Sequence, residues 1–245
     1  MSDIAGNLAQ VQERIAEAAR RSGRDPEQVT MVAVTKTFPA DVVLAAYEAG
    51  VRHFGENRVG EGISKITALE PYISNRLPTW HMIGHIQSRK ASRVAEYYDY
   101  VHSVDRLKIA RRLSRYADEG GRTIPMLLEC NISGEASKYG FALETWEEDE
   151  AQQSAFFAAV EEILALPALD VQGLMTMPPY VDDPEELRPL FVSLRRLRDA
   201  LRERFRSVDW HHLSMGMTND FEVAVEEGAS IVRIGRGIFG PRSHR

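Results

Sequence analysis

A lysine at the end of an apolar run is the first residue of this sequence whose position suggests chemistry. Four of the five residues before Lys36, in "MVAVT" (31–35), are apolar. Such a run predicts a buried strand, and an ammonium group is rarely buried without a partner. Burial lowers the pKa of a lysine, and the neutral amine is a nucleophile towards aldehydes. The alternative is a lysine whose ammonium group reaches solvent or pairs with a carboxylate.

Two glycine-containing segments near the end of the chain suggest a site for an anion. "SMGMTND" (214–220) precedes a predicted helix whose expected N-cap is Thr218 or Asn219, and "RIGRG" (233–237) spans the end of the last predicted strand. Backbone N–H groups at the start of a helix bind anions, and the helix dipole favours negative charge. These glycines could instead serve only tight turns. Together with Ser214, they lead us to expect a phosphate site.

A reactive amine and a phosphate site are compatible with two kinds of chemistry. One is pyridoxal 5′-phosphate (PLP) held as a Schiff base, and the other is an aldolase acting on a sugar phosphate. Arg233, inside the last predicted strand, helps to separate them because a guanidinium can only donate hydrogen bonds. Placed opposite the pyridine nitrogen, it would keep that nitrogen unprotonated and weaken the ring as an electron sink.

Other titratable residues give weaker signals. Glu56 and Asp105 follow predicted strands, and we expect them to cap the helices that come next. Cys130 lies late in an apolar strand, where an inert buried thiol is expected. His81 and His85 are four residues apart but not within an H-E-x-x-H motif, so no metal site is predicted.

Short apolar runs alternate with helical patterns along the chain, after an opening amphipathic helix marked by Ile4, Leu8, Val11 and Ile15. Eight strands alternating with helices in about 250 residues predict an α/β fold, a (β/α)8 TIM barrel with an extra N-terminal helix. An open doubly wound sheet is the alternative, but no G-x-G-x-x-G follows the first strand. We expect one domain over residues 1–245, with its ligand site at the carboxyl ends of the strands. The predicted strands are 30–35, 52–55, 79–83, 99–103, 124–131, 170–175, 211–214 and 230–234.

The composition narrows the class of protein. The chain has 245 residues, 44% of them hydrophobic and 27% charged, which are ordinary values for a globular domain. It has neither an apolar run of the roughly 20 residues that a membrane span needs nor a secretory signal. A single cysteine fits the reducing cytoplasm, and a net charge of −6 argues against a nucleic-acid binder. We expect a cytoplasmic monomer that binds neither nucleic acid nor membrane.

Several segments together resemble the pyridoxal phosphate homeostasis protein family. They are "AVTKTFP", "HFGENRV", "WHMIGHIQS", "NISGEASKYGF", "GLMTMPP", "LSMGMTNDFEVAVEEGASIVRIG" and "IFGPR", in this order. The resemblance implies a single-domain barrel similar to the N-terminal domain of alanine racemase. It also implies a function in buffering PLP and delivering it to PLP-dependent apoenzymes.

The resemblance assigns roles to individual residues. Lys36 would hold the cofactor as a Schiff base, Arg233 would face the pyridine nitrogen, and Asn57 would lie beside the ring. The phosphate would be held by Ser214, Gly216, Gly235 and residue 236. The family commonly has R-I-G-T at this last turn, whereas this chain has Arg236 in place of the threonine.

Two functions remain open at this point. The first is a PLP carrier without catalytic residues, and the second is a PLP-dependent amino-acid racemase. Alanine racemase takes its second acid/base group, a tyrosine, from a C-terminal β domain, for which we expect no room after residue 245. Because Lys36 is the one base that can be nominated, we favour the carrier.

Overall fold

Eight parallel strands close into a barrel, as the sequence predicts. The computed structural model describes residues 3–73 and 77–241. Around the ring the strand order is β1-β2-β3-β4-β5-β7-β8-β9, and pairing of β9 with β1 completes the circle. A ninth strand, β6, pairs with the end of β5. The strands are β1 (Thr30–Val34), β2 (His53–Glu56), β3 (Thr79–Met82), β4 (Tyr100–Val104), β5 (Ile124–Asn131), β6 (Phe141–Ala142), β7 (Leu169–Met175), β8 (His212–Met217) and β9 (Ile231–Ile234).

Helices follow the barrel strands and cover the outside of the ring. The opening helix is capped by Asp3, whose carboxylate accepts a hydrogen bond from Gly6 N, and it packs against the last two helices. Its buried face includes Leu8, Val11 and Ile15, the positions that the sequence pattern indicates. The helices are α1 (Ile4–Arg21), α2 (Ala40–Glu48), α3 (Val59–Leu69), α4 (Ala91–Tyr97), α5 (Leu107–Glu119), α6 (Glu150–Leu164), α7 (Arg188–Arg204), α8 (Phe221–Glu226) and α9 (Arg236–Phe239).

The core has two parts, one between the strands and the helices and one inside the barrel. The interior part contains Val32, Leu127, Met175 and Ile231. Cys130 is buried as predicted, and burial raises the pKa of its thiol well above the usual value. Within residues 3–73 and 77–241, no helix combines the length and apolarity needed to cross a membrane.

The predicted strand bounds agree with the structure to within one residue at seven of the eight strands. The exception is β8, which continues three residues beyond the predicted end. As a result, α8 begins at Phe221 and its N-cap is Asp220, so the prediction of Thr218 or Asn219 is wrong. The side chain of Asp220 instead closes the preceding turn, where its Oδ1 accepts a hydrogen bond from Met217 N at 2.7 Å.

The prediction that Glu56 and Asp105 cap helices is also wrong. The N-caps of α3 and α5 are Arg58 and Arg106. Glu56 ends β2 and its carboxylate is bound by a buried lysine, while the carboxylate of Asp105 pairs with Arg106. Both carboxylates are therefore engaged by cationic side chains.

Candidate functional site

A cavity of about 540 Å³ opens at the carboxyl ends of β1, β2, β8 and β9. This volume lies within the range of small-molecule pockets, about 300–1,000 Å³. Five of the seven predicted cofactor residues line the cavity, although they come from distant parts of the sequence. They are Lys36, Asn57, Arg233, Gly235 and Arg236.

The turn that carries Lys36 is held on both sides by α3. Thr37 has a φ of 71°, a left-handed conformation that is uncommon for residues other than glycine. Its backbone N–H donates to Glu61 Oε1 at 2.5 Å. On the other side, Lys65 Nζ donates to the carbonyl oxygen of Thr35 at 2.7 Å. These contacts fix the backbone immediately before and after Lys36.

Lys65 also joins the two carboxylates of this region into one ion network. Its Nζ lies 2.7 Å from Glu56 Oε1 and 2.8 Å from Glu61 Oε1. The Thr35 hydroxyl donates to the same Glu56 oxygen at 2.5 Å. Burial raises the pKa of Glu56, whereas Lys65 acts in the opposite direction. The buried ammonium group of Lys65 thus compensates the negative charge of Glu56 next to the turn that carries Lys36.

Arg233 lies at the floor of the cavity with 2% of its surface exposed. Nη1 donates to Ser214 Oγ at 2.6 Å, and Nη2 donates to the carbonyl oxygen of Thr176 at 2.7 Å. Burial lowers the pKa of Arg233 to about 10, so the group remains charged at neutral pH. Two anchored nitrogens fix the plane of the guanidinium, and a guanidinium has five N–H groups in total.

Ser214 and Gly216 lie behind the cavity lining. Both are buried, and the Ser214 hydroxyl is engaged by Arg233 and by His102 Nδ1, which lies 2.9 Å away. Gly216 has a φ of +96°, and a Cβ there would lie 2.7 Å from the Cβ of Ala224. Gly216 therefore allows the close packing of α8 on β8, and direct phosphate contacts by these two residues stay a prediction.

The two predicted phosphate-binding loops meet at one corner of the cavity. Gly237 N donates to Thr218 Oγ1 at 3.4 Å, which links the loop after β9 to the loop after β8. Gly235 lies against β1, where a Cβ would come within 3.4 Å of the carbonyl oxygen of Val34. Arg236 is exposed, begins α9 and is one of the residues that line the cavity.

The cavity is suited to an anion with polar groups. Four cationic side chains line it, those of Lys36, Lys138, Arg233 and Arg236. Among the described lining residues, the one carboxylate is that of Asp220, which already accepts a backbone hydrogen bond.

Asn57 presents an unused acceptor at the same cavity. Its Oδ1 is buried, and no described residue donates a hydrogen bond to it. A buried acceptor without a donor is costly, so a ligand that donates there would be favoured. Gly84 allows the backbone of Asn57 to come this close, because a Cβ at residue 84 would lie 2.2 Å from the carbonyl oxygen of Asn57.

Three inward-facing histidines form a feature that the sequence analysis did not identify. His53 Nδ1 lies 3.0 Å from His81 Nε2, and His81 Nδ1 lies 2.9 Å from His102 Nε2. His102 then contacts Ser214, the partner of Arg233. The sequence does show one histidine on each of the three consecutive strands β2, β3 and β4. Whether their side chains meet depends on the stagger of the strands in the barrel, which the sequence does not reveal.

The comparisons with known proteins agree with this arrangement. The family model "Alanine racemase, N-terminal domain" matches residues 6–243. A pyridoxal phosphate homeostasis protein from Pseudomonas aeruginosa is 43% identical over 244 residues, which cover 100% of this chain and 98% of that protein. One from Vibrio alginolyticus is 40% identical over 245 residues and is covered completely, as is this chain.

A solved structure extends the comparison to three dimensions. PipY of Synechococcus elongatus with PLP bound is 34% identical and superposes with a TM-score of 0.80, covering 97% of this chain and 100% of PipY. The same protein without PLP gives a TM-score of 0.83 at the same identity and coverage. The chain therefore belongs to the pyridoxal phosphate homeostasis protein family, whose barrel is of the alanine racemase N-terminal type.

Proposed function

We propose that this protein binds pyridoxal 5′-phosphate in the cavity at the carboxyl ends of the strands and serves PLP homeostasis as a carrier. In this role it buffers the cofactor in the cytoplasm and delivers it to PLP-dependent apoenzymes. The observation that carries the proposal is the meeting of Lys36, Arg233 and the two glycine loops around one cationic cavity. The names of the relatives and the cofactor in PipY support it.

Each lining residue has a group that fits one part of the cofactor. Lys36 would hold the aldehyde carbon as a Schiff base, and Arg233 would donate to the ring nitrogen. Asn57 Oδ1 would accept from a polar group beside the ring. The backbone at Gly235, together with Arg236, would hold the phosphate. When bound, the cofactor supplies a carbonyl that condenses reversibly with amines and a ring that can withdraw electrons.

The charge state of Arg233 favours a carrier over an enzyme. With a pKa of about 10, Arg233 is protonated at neutral pH and can only donate hydrogen bonds. A ring nitrogen that accepts from a guanidinium stays unprotonated, which limits the ring as an electron sink. We also propose that residues 1–245 form a single PLP-binding domain and that the protein acts as a monomer.

Borohydride reduction followed by peptide mass analysis tests the proposal. We expect the PLP-loaded protein to be yellow, and reduction to fix the cofactor mass on the peptide that contains Lys36. Lys138 lines the same cavity and is the matched control. Lys138→Ala should keep the label, and Lys36→Ala should lose it while circular dichroism shows a folded barrel. Labelling of Lys138 in the unaltered protein, with Lys36 unmodified, would refute the assignment.

A further inference from the structure

The histidine line connects the two ends of the barrel interior. It starts at His53, the first residue of β2, and passes through His81 and His102 to Ser214 and Arg233. His53 lines a second cavity, of about 410 Å³, together with Arg52 and residues of α1. Arg233 lies at the first cavity, at the carboxyl ends of the strands. Four hydrogen bonds therefore join the proposed cofactor site to the opposite mouth of the barrel.

Arg233 determines the direction of these hydrogen bonds. A guanidinium can only donate, so the Ser214 oxygen must accept from Nη1. The Ser214 proton then needs an acceptor of its own, and among the described residues His102 Nδ1 offers one at 2.9 Å. A neutral imidazole has one donor and one acceptor. His102 must therefore carry its proton on Nε2.

The same reasoning assigns the protons of His81 and His53. His102 Nε2–H donates to His81 Nδ1, which leaves His81 Nε2–H to donate to His53 Nδ1. His53 is half-buried, so its own Nε2–H can reach water at the far mouth. No donor faces another donor anywhere along the line in this arrangement.

We infer that His53, His81 and His102 all adopt the Nε2–H tautomer and act as positioning residues that hold the Arg233 guanidinium in place. A serine hydroxyl can donate or accept. His102 fixes the hydroxyl in one orientation, because its Nδ1 accepts the hydrogen bond from Ser214 and leaves an oxygen lone pair to accept from Arg233. The order of tautomers rests on these contacts alone, whereas its effect on cofactor binding rests on the proposed function.

The line requires neutral imidazoles. An imidazolium has two donors. A proton added to His81 would place its Nδ1–H against His102 Nε2–H, and one added to His102 would place its Nδ1–H against the Ser214 hydroxyl proton. Burial lowers the pKa of His81 to about 3 and that of His102 well below the usual value. The nearby His212 and Arg233 act in the same direction on His102. The two central members are therefore neutral wherever the protein is folded at ordinary pH.

Nitrogen NMR of the ¹⁵N-labelled protein without cofactor tests the order of tautomers. Long-range ¹H–¹⁵N spectra distinguish Nδ1–H, Nε2–H and the imidazolium for each histidine. At neutral pH we expect the Nε2–H pattern for His53, His81 and His102. We also expect separate Nη signals for Arg233, because both nitrogens are anchored. An Nδ1–H pattern or an imidazolium at His81 or His102 would overturn the inference.

Two substitutions of His102 separate positioning from simple packing. His102→Asn keeps an acceptor near the position of Nδ1, whereas His102→Leu removes it. We expect His102→Leu to average the Nη signals of Arg233 and to weaken PLP affinity about tenfold, as the loss of an anchored charged hydrogen bond implies. His102→Asn should restore separate signals and most of the affinity. Equal behaviour of the two variants would refute the positioning role.

Further variants keep the test decisive. His211 is exposed and pairs with Asp209 outside the line, so His211→Gln should change neither readout. If His102→Leu does not fold, Ser214→Ala removes the hydroxyl with little change of volume and should average the same Arg233 signals. Unchanged Arg233 signals in Ser214→Ala would contradict the inference. Absence of PLP binding by the unaltered protein would refute the proposed function but not the tautomer order, which is measured without cofactor.

Discussion

Replacement of Lys65 by methionine tests whether the buried ion network holds the turn that carries Lys36. Lys65 is 5% exposed, and its Nζ donates to Glu56, Glu61 and the carbonyl oxygen of Thr35 at 2.7–2.8 Å. Methionine fills similar space without the charge. The variant therefore removes three hydrogen bonds and leaves the fully buried Glu56 without its cation.

The contacts set the size of the effect. Removing one partner of a buried ion pair costs about 3–5 kcal/mol. Glu61 is partly exposed and can be hydrated, so most of the cost falls on Glu56. Glu56 can reduce this cost by taking up a proton. We therefore expect Lys65→Met to lower the free energy of unfolding at pH 7 by about 3 kcal/mol, the lower end of that range.

The pH dependence follows from the direction of the Glu56 pKa. Burial raises this pKa and Lys65 lowers it, so the variant has a folded-state pKa further above that of the unfolded chain. A carboxyl group whose pKa is higher in the folded protein than in the unfolded chain stabilises the fold fully at pH values below its pKa in the unfolded chain. This stabilisation is lost as the pH rises through its pKa in the folded protein. The difference in stability between Lys65→Met and the unaltered protein should therefore shrink from pH 7 to pH 5.

Urea unfolding followed by tryptophan fluorescence at both pH values measures the effect. Lys108 is exposed on α5, so Lys108→Met is the matched control and should change stability by less than about 0.5 kcal/mol. Adding Glu56→Gln to Lys65→Met should recover part of the loss, because the uncompensated charge is gone. A loss below about 1 kcal/mol at pH 7, or an equal loss at both pH values, would refute this account of the network.

Two further predictions concern the cofactor. If the Arg236 guanidinium contacts the phosphate, Arg236→Thr should weaken PLP binding about three- to tenfold. Equilibrium dialysis should show unchanged affinity for pyridoxal, which lacks the phosphate. Equal changes in affinity for both ligands would contradict the contact. The PLP-loaded protein should exchange the α-hydrogen of L-alanine negligibly in deuterated water and form no D-alanine, because Arg233 disfavours a protonated ring. Racemisation at roughly 1 per second or faster would contradict the carrier proposal.

The fold and the positions of Lys36 and Arg233 could be predicted because they depend on local pattern and on topology. Alternation of strands and helices fixes a parallel sheet, and the carboxyl ends of all its strands then share one mouth. Lys36 follows β1 and Arg233 lies in β9, and apolar runs mark both strands clearly. Neither prediction needed knowledge of which side chains touch.

The buried ion network and the role of Ser214 depend on contacts that one sequence does not reveal. Lys65 lies on a helix, where a lysine is expected to face solvent. Its burial follows from the packing of α3 against the Lys36 turn, which brings Glu56 and Glu61 to the same ammonium group. Ser214 precedes a register shift in β8, so its neighbours could not be assigned from strand periodicity alone.

The polar line inside the barrel is stable only if every member has its partners. A buried polar group costs little when its hydrogen bonds are satisfied and much more when one is missing. His81 and His102 each have two partners, and the ends of the line are Arg233, which always donates, and His53, which is half-buried. A change at a central histidine should therefore disturb more hydrogen bonds than a change at His53. A line of neutral groups can hold a charged one because Arg233 sets the direction of its hydrogen bonds and the last N–H group, that of His53, can donate to water.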